Sequence, residues 1–258
     1  MRASLSTAPA GVPAGAGRRE DRRVSEASST LAADRAGDTA AAAVPASVKP
    51  KLRGWLHAGT FPLAVVAGIA LVALAPSQRA RISIAVFTVT AGLLFGISAL
   101  YHRFTWSTRT HAVLRRFDHS NIFLLIAGTY TPLAAILLDR PGATLLLGLV
   151  WGGAVLGVGF RVAWIDAPRW LYVPVYVAMG WSTAFWLPAF GHTGGAAVVT
   201  LVVVGGAFYV LGALAYGFRR PDPAPTWFGF HEVFHGCTVL GFAAHFTAIA
   251  LAAWAVRA

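Results

Sequence analysis

The chain has 258 residues, 57% of them hydrophobic and only 12% charged, with a net charge of +11 and a single cysteine, Cys237. Soluble domains carry about one quarter charged residues, so this composition excludes an ordinary soluble fold and points to a membrane protein. One cysteine excludes an intrachain disulfide and a thiolate metal cluster, which leaves nitrogen and oxygen as the metal donors.

Residues 1–48 are rich in Ala, Ser, Gly and Arg and show no hydrophobic periodicity. They are expected to form a disordered tail, without the apolar core of a signal peptide. From residue 49 to 258, apolar stretches recur at 56–75, 82–102, 118–138, 143–162, 170–190, 196–218 and 231–256. Each is long enough to cross about 30 Å of hydrocarbon as a helix. The breaks carry turn residues, as in Asp139-Arg140-Pro141-Gly142 and Gly191-His192-Thr193-Gly194-Gly195. Trp55, Trp106, Trp164, Trp170, Trp227 and Trp254 fall near the ends, where headgroups lie. The fourth stretch holds Gly148, Gly152, Gly153, Gly157 and Gly159, read as close-packing positions within one helix. The expected fold is therefore an all-α integral membrane bundle of seven transmembrane helices.

The arginines and lysines after position 48 lie between the apolar runs rather than on one basic face, so they suit an anionic membrane and not nucleic acid. With seven spans, eleven of these residues fall on the side of the tail and four on the opposite side. The positive-inside rule then makes the N-terminus cytoplasmic and the C-terminus external. A multi-pass protein of the cell membrane is expected.

Only Asp118, Asp139, Asp166, Asp222 and Glu232 are acidic after the tail, and each needs a reason. His231-Glu232-Val233-Phe234-His235 opens the last apolar run, and histidines four apart on a helix share a face and can reach one metal ion. The topology brings His102, Asp118, His231 and His235 to one depth in the cytoplasmic third of the membrane, with Ser98 one turn before His102. Intramembrane ionisable residues normally face the bundle interior with a partner. Blander roles exist for each: Ser98 can bond its own backbone, and Asp118 can cap a helix N-terminus. His57, His111 and His192 read as interfacial histidines, and His119 points about 100° away from Asp118. Glu232 suits a general base or a cap, and the cap is favoured. His245 lies about 15 Å beyond His235, out of metal reach, and suits a buried hydrogen-bonding, relay or packing role.

Ser98-Ala99-Leu100-Tyr101-His102, the run from Phe117 through Asp118 to Thr131-Pro132, His231 to His235, and Ala244-His245-Phe246 together resemble the hemolysin III branch of the progestin and adipoQ receptor family. That family belongs with alkaline ceramidases in a wider set of seven-helix membrane hydrolases. The resemblance covers roughly residues 50–258. It implies a zinc ion held by His102, His231 and His235, and a water oriented by Asp118, with Ser98 supporting from behind. Asn121 departs from the small residue expected at its position, which bears on packing and not on the ligands.

The combined reading is a zinc-binding membrane protein that hydrolyses an amide or ester in a membrane lipid. Two alternatives stand beside it. His-Glu-Val-Phe-His also fits the metalloprotease pattern, although His245 is too far away to serve as a third ligand. A pore-forming or membrane-homeostasis protein with structural zinc is the other, although no channel pattern shows in the helices.

Overall fold

Capping side chains, prolines and glycines divide residues 49–255, the part of the chain that the computed structural model describes, into α-helices with no strand among them. In chain order these are α1 (Trp55–Leu74), α2 (Gln78–Arg103), α3 (Thr108–Leu137), α4 (Arg140–Ala163), α5 (Arg169–Trp181), α6 (Leu187–Phe218) and α7 (Phe230–Ala255). A short 3-10 segment, Ser182–Trp186, joins α5 to α6. The expected tail at 1–48 lies outside the described residues.

The helix starts follow from capping chemistry. Ser77 accepts the Ala80 N–H (3.2 Å), Ser107 accepts that of Thr110 (3.3 Å), and Asp139 accepts that of Gly142 (3.0 Å). Each side chain satisfies an N–H that the first helical turn leaves free. One cap corrects an expectation: because Ser107 starts α3 at Thr108, Asp118 sits well inside the helix and is no cap. α4 runs unbroken through its glycines. Gly157 lies where a Cβ would fall 2.4 Å from the Phe123 ring, so α3 and α4 pack closely there.

Six helical stretches are long and apolar enough to cross a membrane, the fifth being the 50-residue run Arg169–Phe218. This run doubles back on itself. The hydroxyls of Tyr172 and Tyr216 stand 3.1 Å apart, and the Arg169 guanidinium donates to the Tyr216 carbonyl (3.2 Å), whereas 44 residues of straight helix would span about 66 Å. The reversal is at Gly195, the non-helical residue of α6, with φ 80° and ψ 172°, a conformation that glycine adopts without steric cost. Gly191 to Gly194, expected as part of a loop, stay helical up to that point.

Large apolar side chains cover the outside, including Leu63, Leu156 and Phe185. The polar side chains are turned inward: His57, Ser98, His102, Asn121, Arg161, His231, Glu232, His235 and His245 are all buried. This distribution is that of an integral membrane protein. Asn121 donates to the Leu93 carbonyl (3.0 Å) and so ties α3 to α2 across the interior.

Candidate metal centre and its cavity

Three helix ends meet at one end of the bundle. His102 comes from the last turn of α2, Asp118 from the third turn of α3, and His231 and His235 from the first two turns of α7. Four-residue spacing puts the α7 imidazoles on one face, with ring centroids 4.5 Å apart. His102 closes the triangle, at 4.7 Å from the His231 ring and 5.2 Å from the His235 ring. One nitrogen of each histidine lies within 4.8 Å of the other two, so this buried triad can hold a metal ion. The Nε2 atoms of His102 and His231 are 3.2 Å apart. Two nitrogens on one tetrahedral zinc, each at about 2.0–2.1 Å, stand roughly 3.3 Å from each other, and the donor set is one that zinc favours. The buried Nδ1 of His235 has no hydrogen-bond partner among the described residues.

Asp118 stands beside this triad, with Oδ2 3.6 Å from His102 Nε2, and its side chain also interacts with the buried Ser98. All five side chains singled out from the sequence are therefore brought together. His119 turns the other way, as expected, and its Nδ1 meets the Arg161 guanidinium at 2.7 Å.

Glu232 belongs to the scaffold. One of its oxygens accepts the Gly229 N–H (2.8 Å), and the other is paired with Arg53. The carboxylate is thus committed as a cap and an ion pair, which removes the base that the protease pattern requires. Arg53 lies in residues 49–54, which run alongside residues 226–227: the Lys51 and Leu52 N–H groups donate to the Thr226 and Trp227 carbonyls at 3.0 and 3.1 Å. Gly54 closes this segment at φ 80°, where a Cβ would come within 2.7 Å of His102 Cβ. Lys49, at the same basic end, is held below the ordinary lysine range by partial burial and by the neighbouring Arg53 and Arg103.

Two site residues escaped the sequence reading. His57 of α1, expected at the interface, is 2% exposed and stacks on His235, with centroids 3.8 Å apart and planes 12° from parallel. Arg161 of α4, counted from the sequence as a loop charge, is 1% exposed. Its guanidinium donates to the Ile165 carbonyl (3.1 Å) and lies 4.1 Å over the Tyr172 ring, and no carboxylate pairs with it among the described residues. In both cases the signal was an ionisable residue inside an apolar run.

Several of these groups line an apolar cavity within the bundle. His231, His235, Asp118, Ser98 and Arg161 are on its wall, and so is His245.

Comparison with known proteins bears directly on this arrangement. A family model described as "Haemolysin-III related" matches residues 46–246, which include every residue of the site. The chain belongs to the haemolysin-III related family. Among its relatives, the "Hemolysin-3 homolog" of Bacillus subtilis (strain 168) is 34% identical over 152 residues, covering 58% of this chain and 70% of that protein. The "Hemolysin-3" of Bacillus cereus is 29% identical over 145 residues, covering 56% of this chain and 65% of that protein. Membership in the haemolysin-III family and the six apolar helical stretches agree on a multi-pass integral membrane protein.

Proposed function

We propose that this protein is a zinc-dependent hydrolase of the cell membrane that cleaves an amide or ester bond in a membrane lipid. The observation that carries the reading is the convergence of three histidines, Asp118 and Ser98, four of which (His231, His235, Asp118 and Ser98) line an apolar cavity within the bundle. His102, His231 and His235 would hold the zinc, leaving a position open as catalytic sites do. Zinc in such a site lowers the pKa of water towards 7 and polarises a carbonyl. Asp118 would orient a water beside the triad and take its proton as the water oxygen adds to the lipid carbonyl carbon. The carbon–nitrogen or carbon–oxygen bond then breaks, Asp118 returns the proton to the leaving atom, and a fatty acid and an amine or alcohol result. Ser98 holds the Asp118 carboxylate in place, and Arg161, with Tyr172 beside it, offers the polar headgroup a buried cation. The Arg169–Phe218 run supplies two crossings, which gives seven in all, with the N-terminus cytoplasmic and the C-terminus outside.

The test compares wild type with Asp118→Asn for zinc content, melting temperature and turnover of a ceramide-like lipid amide. We expect about one zinc in both and little change in melting, with turnover reduced roughly 10²- to 10⁴-fold as for a lost general base. His102→Ala, His231→Ala and His235→Ala should lose the zinc, and His245→Ala should keep it. The relatives' name "Hemolysin-3" favours a second reading, in which the metal is a staple between α2 and α7 in a cytolytic or membrane-homeostasis protein. An inactive wild type, or an Asp118→Asn whose function falls only with its stability, would select that reading.

A further inference from the structure

The far end of the cavity is polar, which a pocket for a plain hydrocarbon tail does not require. His245 lies ten residues beyond His235 on α7, about 15 Å along the helix axis. It is 3% exposed, and its Nε2 is 3.0 Å from the Val202 carbonyl of α6. A carbonyl only accepts, so Nε2 carries the hydrogen, and Nδ1 of the neutral ring is left as an acceptor. That Nδ1 is buried without a partner among the described residues.

Tyr209 follows Val202 by two turns on α6, and its ring centre is 5.4 Å from that of His245. Its hydroxyl is likewise buried without a partner among the described residues. Room for the imidazole is built into the helix, because a Cβ on Gly205 would fall 2.6 Å from His245 Cδ2. Both His245 and Tyr209 line the same cavity as the three-histidine end. Buried polar atoms left unpaired are costly, so two of them on side chains that line one cavity mark a place for a hydrogen-bonding group of the occupant.

We propose that His245 and Tyr209 form a second polar subsite that takes a hydroxyl carried on the hydrocarbon chain of the lipid, about 15 Å from the group held near the three histidines. This proposal rests on the lipid reading and narrows its substrate class to hydroxylated acyl lipids. A hydroxyl matches the subsite because its hydrogen can go to Nδ1 of His245 while its oxygen accepts from the tyrosine hydroxyl. At about 1.25 Å per methylene, the separation corresponds to a chain of roughly 12 carbons.

The experiment measures displacement of a fluorescent fatty acid from purified full-length protein by dodecanoic acid, by 12-hydroxydodecanoic acid and by 6-hydroxydodecanoic acid. The 12-hydroxy acid is expected to bind about tenfold tighter than dodecanoic acid in wild type, the gain of a well-made buried hydrogen bond, and the 6-hydroxy acid no tighter. Tyr209→Phe and His245→Phe should each cut the gain to twofold or less while leaving dodecanoic acid bound as before. Tyr209→Phe removes one atom and keeps the packing, so the result does not hang on a variant that misfolds. Equal binding of the first two acids in wild type, or a preference that survives Tyr209→Phe, would overturn the subsite while leaving the lipid reading in place. Failure of all three acids to bind would overturn both.

Discussion

His57 holds His235 by stacking, since both of its ring nitrogens are buried without partners among the described residues and its plane lies nearly parallel to the His235 ring. Metal ligands need such support to keep their orientation, and changes around them typically weaken metal binding 10- to 100-fold. His57→Phe keeps a flat ring against His235 and should retain close to one zinc per chain. His57→Ala leaves a void behind the ligand and should raise the zinc dissociation constant by roughly 10- to 100-fold. Chelator competition on the two variants reads this directly, and equal affinities would show that the stack supports nothing. The grouping of the three histidines was legible because two histidines at helical spacing and a third at the same depth form a pattern. His57 has no such neighbour in sequence, and only the fold of α1 against α7 shows what it touches.

At the scale of elements, the segment before α1 and the start of α7 are one structure. The Arg53 side chain crosses to Glu232, whose carboxylate is 1% exposed and also receives the Gly229 N–H. Removing one member of a buried pair leaves the other charge without compensation, which costs about 3 kcal/mol. Arg53→Ala should therefore lower the melting temperature by several degrees, whereas Arg53→Met combined with Glu232→Gln should recover much of the loss. A double variant no better than Arg53→Ala would mean that the pair is not what holds the segment. The helices were legible from hydropathy, but the start of α3 was not. α3 begins at Thr108 because Ser107 caps it there, ten residues before the apolar run that announced it, and this is why Asp118 could be mistaken for a capping residue. The 50-residue run is the converse case: the sequence divides it at Gly191 to Gly195, and the one non-helical residue within α6 is Gly195.

For the molecule as a whole, the reversal of that run decides parity. If the run crosses twice, the two ends of the chain face opposite sides. A reporter fused before Lys49 should then be cytoplasmic and one after Ala258 external. The basic residues agree, and moving the buried Arg161 out of the count leaves ten against four. Both reporters on one side would require six crossings, and would place the hairpin within one leaflet.

His102 and His231 are separated by 129 residues, and every helix from α3 to α6 lies between them in the chain. The triad consequently does not exist on a nascent polypeptide until α7 has emerged and docked. If the triad takes a metal, its acquisition is for that reason a late step of biogenesis and a natural checkpoint of correct assembly. Chains truncated after Asp222 should insert their earlier helices yet recover no zinc, and pulse-labelled full-length protein should gain protease resistance in two phases, the second one dependent on metal supply.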